Sequence, residues 1–135
     1  MSRSIRVLLV DDYPPFRQFV RSTFQKRPEL LVIGEVSEGL AAVRYSRELQ
    51  PDLVLLDIGL PGLNGIEVAR QIREVAPSSK ILFVSENRSR EIVTEALLSG
   101  GDGYVVKSAA ASDLLPAVES VLQGKQFVSS SLGTT

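Results

Sequence analysis

Short, nearly uninterrupted apolar runs alternate along this chain with longer segments whose apolar residues recur every three or four positions. The runs at residues 5–10, 31–36, 53–56, 80–84 and 103–106 read as strands, and their lack of polar alternation is the mark of strands covered on both faces, as in a parallel sheet. The periodic segments read as helices over residues 14–26, 39–49, from Asn64 onward, 89–99 and 112–123. Phe16, Phe19, Val20 and Phe24 form the apolar stripe of the first of these, and Ile92, Val93, Ala96 and Leu97 that of the fourth. Strand and helix thus alternate five times, the pattern of an α/β domain.

Local signals fix several boundaries. Pro14 and Pro15 stand at the first helical positions, where a missing N–H leaves nothing unpaired. Asn64, followed three residues later by Glu67, reads as a capping box. Gly100 or Gly101 stops the fourth helix and Gly124 the fifth. Ser112 as N-cap would place Pro116 in a first turn, where it is tolerated. Residues 125–135, serine-rich after Phe127 and Val128, read as a linker or tail, which leaves 1–124 as the folded domain.

In a parallel α/β sheet every strand ends on one edge, and ligands bind in the crevice there. Asp11 and Asp12 follow the first strand, Asp57 the third, Ser85 the fourth and Lys107 the fifth. Each has an ordinary explanation as a cap, a turn residue or a solvated side chain. Their arrival on one edge from four strands is a less ordinary event.

Composition narrows the chemistry. The 135 residues are 44% hydrophobic, enough for one domain with a proper core. Net charge is −1 with dispersed Lys and Arg, so no nucleic-acid footprint or polybasic membrane patch is expected. The apolar runs are far too short to cross a membrane, and the one at Val7 to Val10 ends in Asp11, unlike a signal peptide. The absence of cysteine fits a cytoplasmic location. The absence of histidine removes imidazole bases and histidine metal ligands, so any metal must be held by oxygen.

Two carboxylates about 5 Å apart repel by roughly 3 kcal/mol at an effective dielectric near 20. Three of them facing one lysine need a cation, and Mg2+ (or Mn2+) suits few carboxylates combined with water and phosphate oxygens. That is a setting for phosphoryl chemistry, with Asp57 as a nucleophile able to form an aspartyl-phosphate. Lys107 would neutralise charge on the moving group, and Ser85 would hydrogen-bond a phosphoryl oxygen.

The segments VLLVDDYPPFR, PDLVLLDIGLPGLNGIEVARQIR, ILFVS and GGDGYVVKS resemble, in order and spacing, the motifs of response regulator receiver domains of bacterial two-component systems. The likeness covers residues 5–124, and GYVVKS with VLQGKQFVSSSL is most similar to regulators that carry a LuxR-type helix-turn-helix downstream. It implies a flavodoxin-like (βα)5 doubly wound parallel sheet of strand order 2-1-3-4-5. It also implies that Asp57 is the phosphoacceptor and that Asp11, Asp12, Asp57 and the Gly59 carbonyl hold Mg2+. Ser85, Tyr104 and Lys107 match the switch and phosphate-contacting positions, with Tyr104 moving inward on phosphorylation. The donor would be a histidine kinase or phosphotransfer protein docking on the first helix at Gln18, Arg21 and Ser22. A homodimer would use the fourth helix, fifth strand and fifth helix, or the first and fifth helices. The implied activity is a signalling switch rather than turnover of an external substrate. Its output would be transcription through a DNA-binding segment that this chain lacks, the chain itself binding neither nucleic acid nor membrane.

Two positions depart from the family. Glu86 replaces a small residue after the switch serine; it either slows phosphorylation or its loss by repulsion, or is a solvated loop residue. Ser108 replaces a frequent proline, and a trans bond is expected before it. A phosphorylation-independent interaction module is the alternative reading. A magnesium-dependent phosphohydrolase would need an Asp-x-Asp motif, whereas Asp11 and Asp12 are adjacent.

Overall fold

A computed structural model of the chain describes residues 3–130. The elements are β1 (Ile5–Val10), α1 (Pro14–Phe24), β2 (Leu30–Val36), α2 (Gly39–Leu49), β3 (Leu53–Leu56), α3 (Gly65–Val75), β4 (Lys80–Ser85), α4 (Arg90–Leu98), β5 (Gly103–Val106), α5 (Ala110–Leu122) and β6 (Phe127–Val128). A 3-10 turn, Lys107–Ala109, leads into α5. The strands form one sheet in the order β2-β1-β3-β4-β5-β6, with every adjacent pair parallel. This is the expected flavodoxin-like order with one strand added.

The unbroken apolar runs have a simple cause. Along β1, Leu8 and Val10 enter one core while Val7 and Leu9 enter another; along β3, Val54 and Leu56 part from Leu53 and Leu55 in the same way. The first core is closed by α2, α3 and α4, the second by α1 and α5. The positions of β3 and β5 are therefore buried throughout, and in β1 the four residues up to Val10 are buried as well, so polar side chains follow only where these buried runs end.

The Asn64 side chain caps α3, accepting from the Ile66 and Glu67 N–H groups at 2.9 and 3.1 Å. Glu67 does not complete the capping box in return; it accepts from Arg70 and Gln71 on its own helix. The first helix ends at Phe24, two residues short of the sequence expectation, and β2 begins one residue early at Leu30.

Two expectations at the C-terminal end need correction. The last helix begins at Ala110, running straight on from the 3-10 turn, so Ser112 is no N-cap and Pro116 lies in the helix interior. The Ser112 hydroxyl instead donates to the Ala109 carbonyl at 3.1 Å. Pro116 is exposed, and the Ser112 carbonyl, which loses its i+4 donor, lies at an exposed residue as well. The stretch after Gly124 is not all tail. Phe127 and Val128 pair with Gly103 and Tyr104 of β5. Ser129, 2% exposed, donates its N–H to the Tyr104 carbonyl (3.0 Å). Its hydroxyl accepts from the Val106 N–H (3.1 Å) and donates to Asp113 (2.8 Å). Residues 131–135 of the expected tail lie outside the described residues.

Candidate functional site

The carboxyl ends of β1 and β3 lie side by side, Val10 opposite Leu56. The residues that follow stay tied to the ladder: the Asp11 N–H donates to the Val36 carbonyl and the Asp57 N–H to the Val10 carbonyl, both at 3.1 Å. Both carboxylates are therefore placed by sheet hydrogen bonds rather than by mobile loops. Asp11 and Asp57 are buried and Asp12 is exposed, and one oxygen of each lies within 4.8 Å of the others.

Lys107 follows β5, whose Val106 pairs with Ser85 of β4. Its ammonium lies 2.8 Å from Asp11 Oδ2 and 3.1 Å from Asp57 Oδ2, with the side chain 12% exposed. The remaining Asp11 oxygen accepts from the Tyr13 N–H at 2.9 Å, and Asp57 Oδ1 from the Ile58 N–H at 2.7 Å. Burial pushes the Asp11 carboxyl above its ordinary value; the Lys107 and Tyr13 hydrogen bonds pull against it and the Asp57 charge adds to it. For Lys107, burial favours the neutral form, but the two carboxylates outweigh it and hold the ammonium above its usual range. Lys107 thus bridges the two buried carboxylates of the cluster, with the exposed Asp12 beside them. Oxygen-only donors at this spacing, in a site where burial leaves Asp11 under strain of charge, fit a hard divalent cation.

These groups open into a cleft of about 1040 Å3 lined by Asp12, Asp57, Gly59, Ser85, Glu86 and Lys107, among others. The Ser85 hydroxyl accepts from the Asn87 N–H at 3.2 Å. Tyr104 is fully buried, and its hydroxyl donates to the Asn87 carbonyl at 2.7 Å. Glu86 is exposed in the loop between β4 and α4, at the rim of the cleft. No cis peptide occurs among the described residues, so the Lys107–Ser108 bond is trans.

Gln18, Arg21 and Ser22 are exposed on α1 and are not among the residues lining the cleft, and Arg21 is paired with Glu35 of β2 at 2.6 Å. Two contributors escaped the sequence reading. Asn87 bonds both Ser85 and Tyr104 through its backbone, which no side-chain pattern reveals. Phe16, read as part of an apolar stripe, turns its ring towards the Lys107 ammonium, 4.6 Å from the centroid.

A family model described as the response regulator receiver domain matches residues 7–119. The chain belongs to this family. It is 36% identical over 126 residues to the nitrate/nitrite response regulator NarL of Escherichia coli K12, covering 93% of this chain and 58% of NarL. It therefore spans less than two thirds of that relative. Among solved structures, a LuxR-family two-component response regulator from Aurantimonas sp. SI85-9A1 superposes with a TM-score of 0.90 at 34% identity, covering 96% of this chain and 92% of that one. The isolated receiver domain of RcsB from Salmonella enterica serovar Typhimurium, solved with the phosphomimetic BeF3-, gives 0.89 at 25% identity, covering 96% of each chain. Receiver domains are two-component signalling units and not enzymes that turn over an external substrate. No helix among the described residues of this receiver domain is long and apolar enough to cross a membrane.

Proposed function

We propose that this receiver domain accepts a phosphoryl group on Asp57 from a histidine kinase or phosphotransfer protein, in the presence of Mg2+ or Mn2+. The observation that carries the reading is the Lys107 ammonium within hydrogen-bond reach of both Asp57 and Asp11, beside Asp12 at the floor of an open cleft. Asp11, Asp12, Asp57 and the Gly59 carbonyl would hold the cation, which would neutralise charge on the phosphoryl oxygens when bound. One Asp57 oxygen forms the new P–O bond while the P–N bond to the donor imidazole breaks, the ring nitrogen leaving with the electron pair. Lys107 holds the carboxylate in place and balances charge on the group in transit. Ser85 turns its hydroxyl from the Asn87 amide to a phosphoryl oxygen.

The change at Ser85 and Asn87 reaches Tyr104 through the bond to the Asn87 carbonyl. The face of α4, β5 and α5, or that of α1 and α5, would then alter its affinity for a partner or a second copy. Because β6 already pairs with β5, the outer edge of β5 is taken by the chain itself, and a partner on that face would meet α4 and α5. The output is transcription through a DNA-binding segment outside residues 3–130, in the cytoplasm, with α1 at Gln18, Arg21 and Ser22 as the donor's docking surface.

Incubation with acetyl phosphate and Mg2+, followed by intact mass measurement, tests the reading. A phosphate-sized gain lost in Asp57→Asn supports it. No gain, together with no Mg2+ binding on titration, would leave the phosphorylation-independent interaction module.

A further inference from the structure

Among the described residues, the Lys107 ammonium meets Asp11 at 2.8 Å, Asp57 at 3.1 Å and the ring of Phe16 at 4.6 Å. If Asp57 is the phosphoacceptor, on which this argument rests, the first two contacts do not survive the reaction unchanged. A bound cation draws on the Asp11 carboxylate, and phosphorylation converts the Asp57 carboxylate to an acyl phosphate. The ring is the one contact that neither event alters.

We infer that Phe16 is a positioning residue for phosphoryl transfer, its ring face holding the Lys107 ammonium beside Asp57 while the carboxylate contacts change. A cation within about 6 Å of a ring centroid is attracted by the negative quadrupole of the ring face, and more strongly where water is excluded. Lys107 is largely buried and the ring lines the same cleft. The ring is itself held: Phe19 packs against it at 5.5 Å, tilted by 32°. Phe16 follows Asp12 by four residues, and Pro14 and Pro15 set the start of α1 between them. One short stretch of chain thus supplies the acidic pair and the ring.

Phosphorylation by acetyl phosphate at saturating Mg2+ is expected to slow about tenfold in Phe16→Leu, equivalent to about 1.4 kcal/mol, and to recover in Phe16→Trp. Mono-, di- and trifluorophenylalanine placed at position 16 should lower the rate stepwise, because fluorine drains the ring face with little change in size. A filler of space would give a flat series, and that result, or a wild-type rate in Phe16→Leu, overturns the inference. A second measurement needs neither metal nor phosphoryl donor. In a urea-unfolding cycle of Phe16→Leu with Lys107→Met, the two substitutions should be coupled by more than about threefold in the folding equilibrium constant; independent effects overturn the inference. If the wild-type protein is not phosphorylated at all, the functional reading fails while this cycle still decides whether ring and ammonium are partners.

Discussion

The phenol of Tyr104 donates a 2.7 Å hydrogen bond to the Asn87 carbonyl, tying β5 to the loop after β4. Its ring stacks on Phe83 with centroids 6.1 Å apart. Removing only the hydroxyl, in Tyr104→Phe, should cost about 1 kcal/mol, since the exposed Asn87 can turn its carbonyl to water. Amide exchange in the 86–89 loop should quicken. Burial, the largest influence, pushes the phenol above its ordinary value of 10; a Ser85 hydrogen bond opposes this and the Asp57 charge adds to it. In the window from 10 up to the raised value the native state binds the extra proton, so stability falls as pH rises through it. Urea midpoints at about pH 9 and about pH 11 should therefore diverge more in the wild type than in Tyr104→Phe.

Lys107→Ala leaves Asp11 and Asp57 buried without their counter-ion. Loss of one member of a buried pair costs about 3–5 kcal/mol, and the melting temperature without added metal should drop accordingly. Mg2+ should restore part of the loss by supplying positive charge to the same oxygens, so it should raise the melting temperature of the variant more than that of the wild type. Equal shifts in a thermal scan would mean that the lysine and the cation answer to different charges.

Gly65 sits where a Cβ would run into the Asp57 carbonyl and come within 2.7 Å of Ile58 Cα, while its N–H donates to the Ile58 carbonyl at 2.8 Å. In Gly65→Ala the backbone at Asp57 has to move. The expected result is a loss of about 1–3 kcal/mol and a fall of at least about tenfold in acetyl phosphate labelling, since a shift of about 1 Å at a reacting group costs more than that.

Glu86, exposed at the rim of the cleft, places a negative charge on the path of an anionic donor. Neutralisation in Glu86→Gln should quicken labelling by about two- to threefold at low salt, and the gain should vanish towards about 1 M, where screening is complete within about 3 Å. A salt-independent change would point to an altered loop instead.

The five repeating units and the acidic cluster were legible because they arise from side chains at the ends of apolar runs, as at Leu56 followed by Asp57. What could not be read belongs to the backbone or to facing helices. Asn87 acts through its amide and carbonyl. Phe16 belongs at once to an apolar stripe and to the cleft, and periodicity alone cannot separate the two. Pro116 argued for a late helix start, but the turn at Lys107 to Ala109 feeds α5 directly and outweighs one missing hydrogen bond. Phe127 and Val128, two apolar residues in a polar stretch, were too few to announce a strand; the Ser129 bonds that secure it are visible only in three dimensions.

Without Phe127 and Val128, the outer edge of β5 would end the sheet with unpaired amides and carbonyls backed by four buried residues, Gly103 to Val106. An open edge of that kind can template pairing with a stranger's strand and so promote aggregation. A closing strand of two residues offers too short a row of free amides to be extended in turn. The cap thus shields from stray pairing the same strand that holds Tyr104 and leads into Lys107.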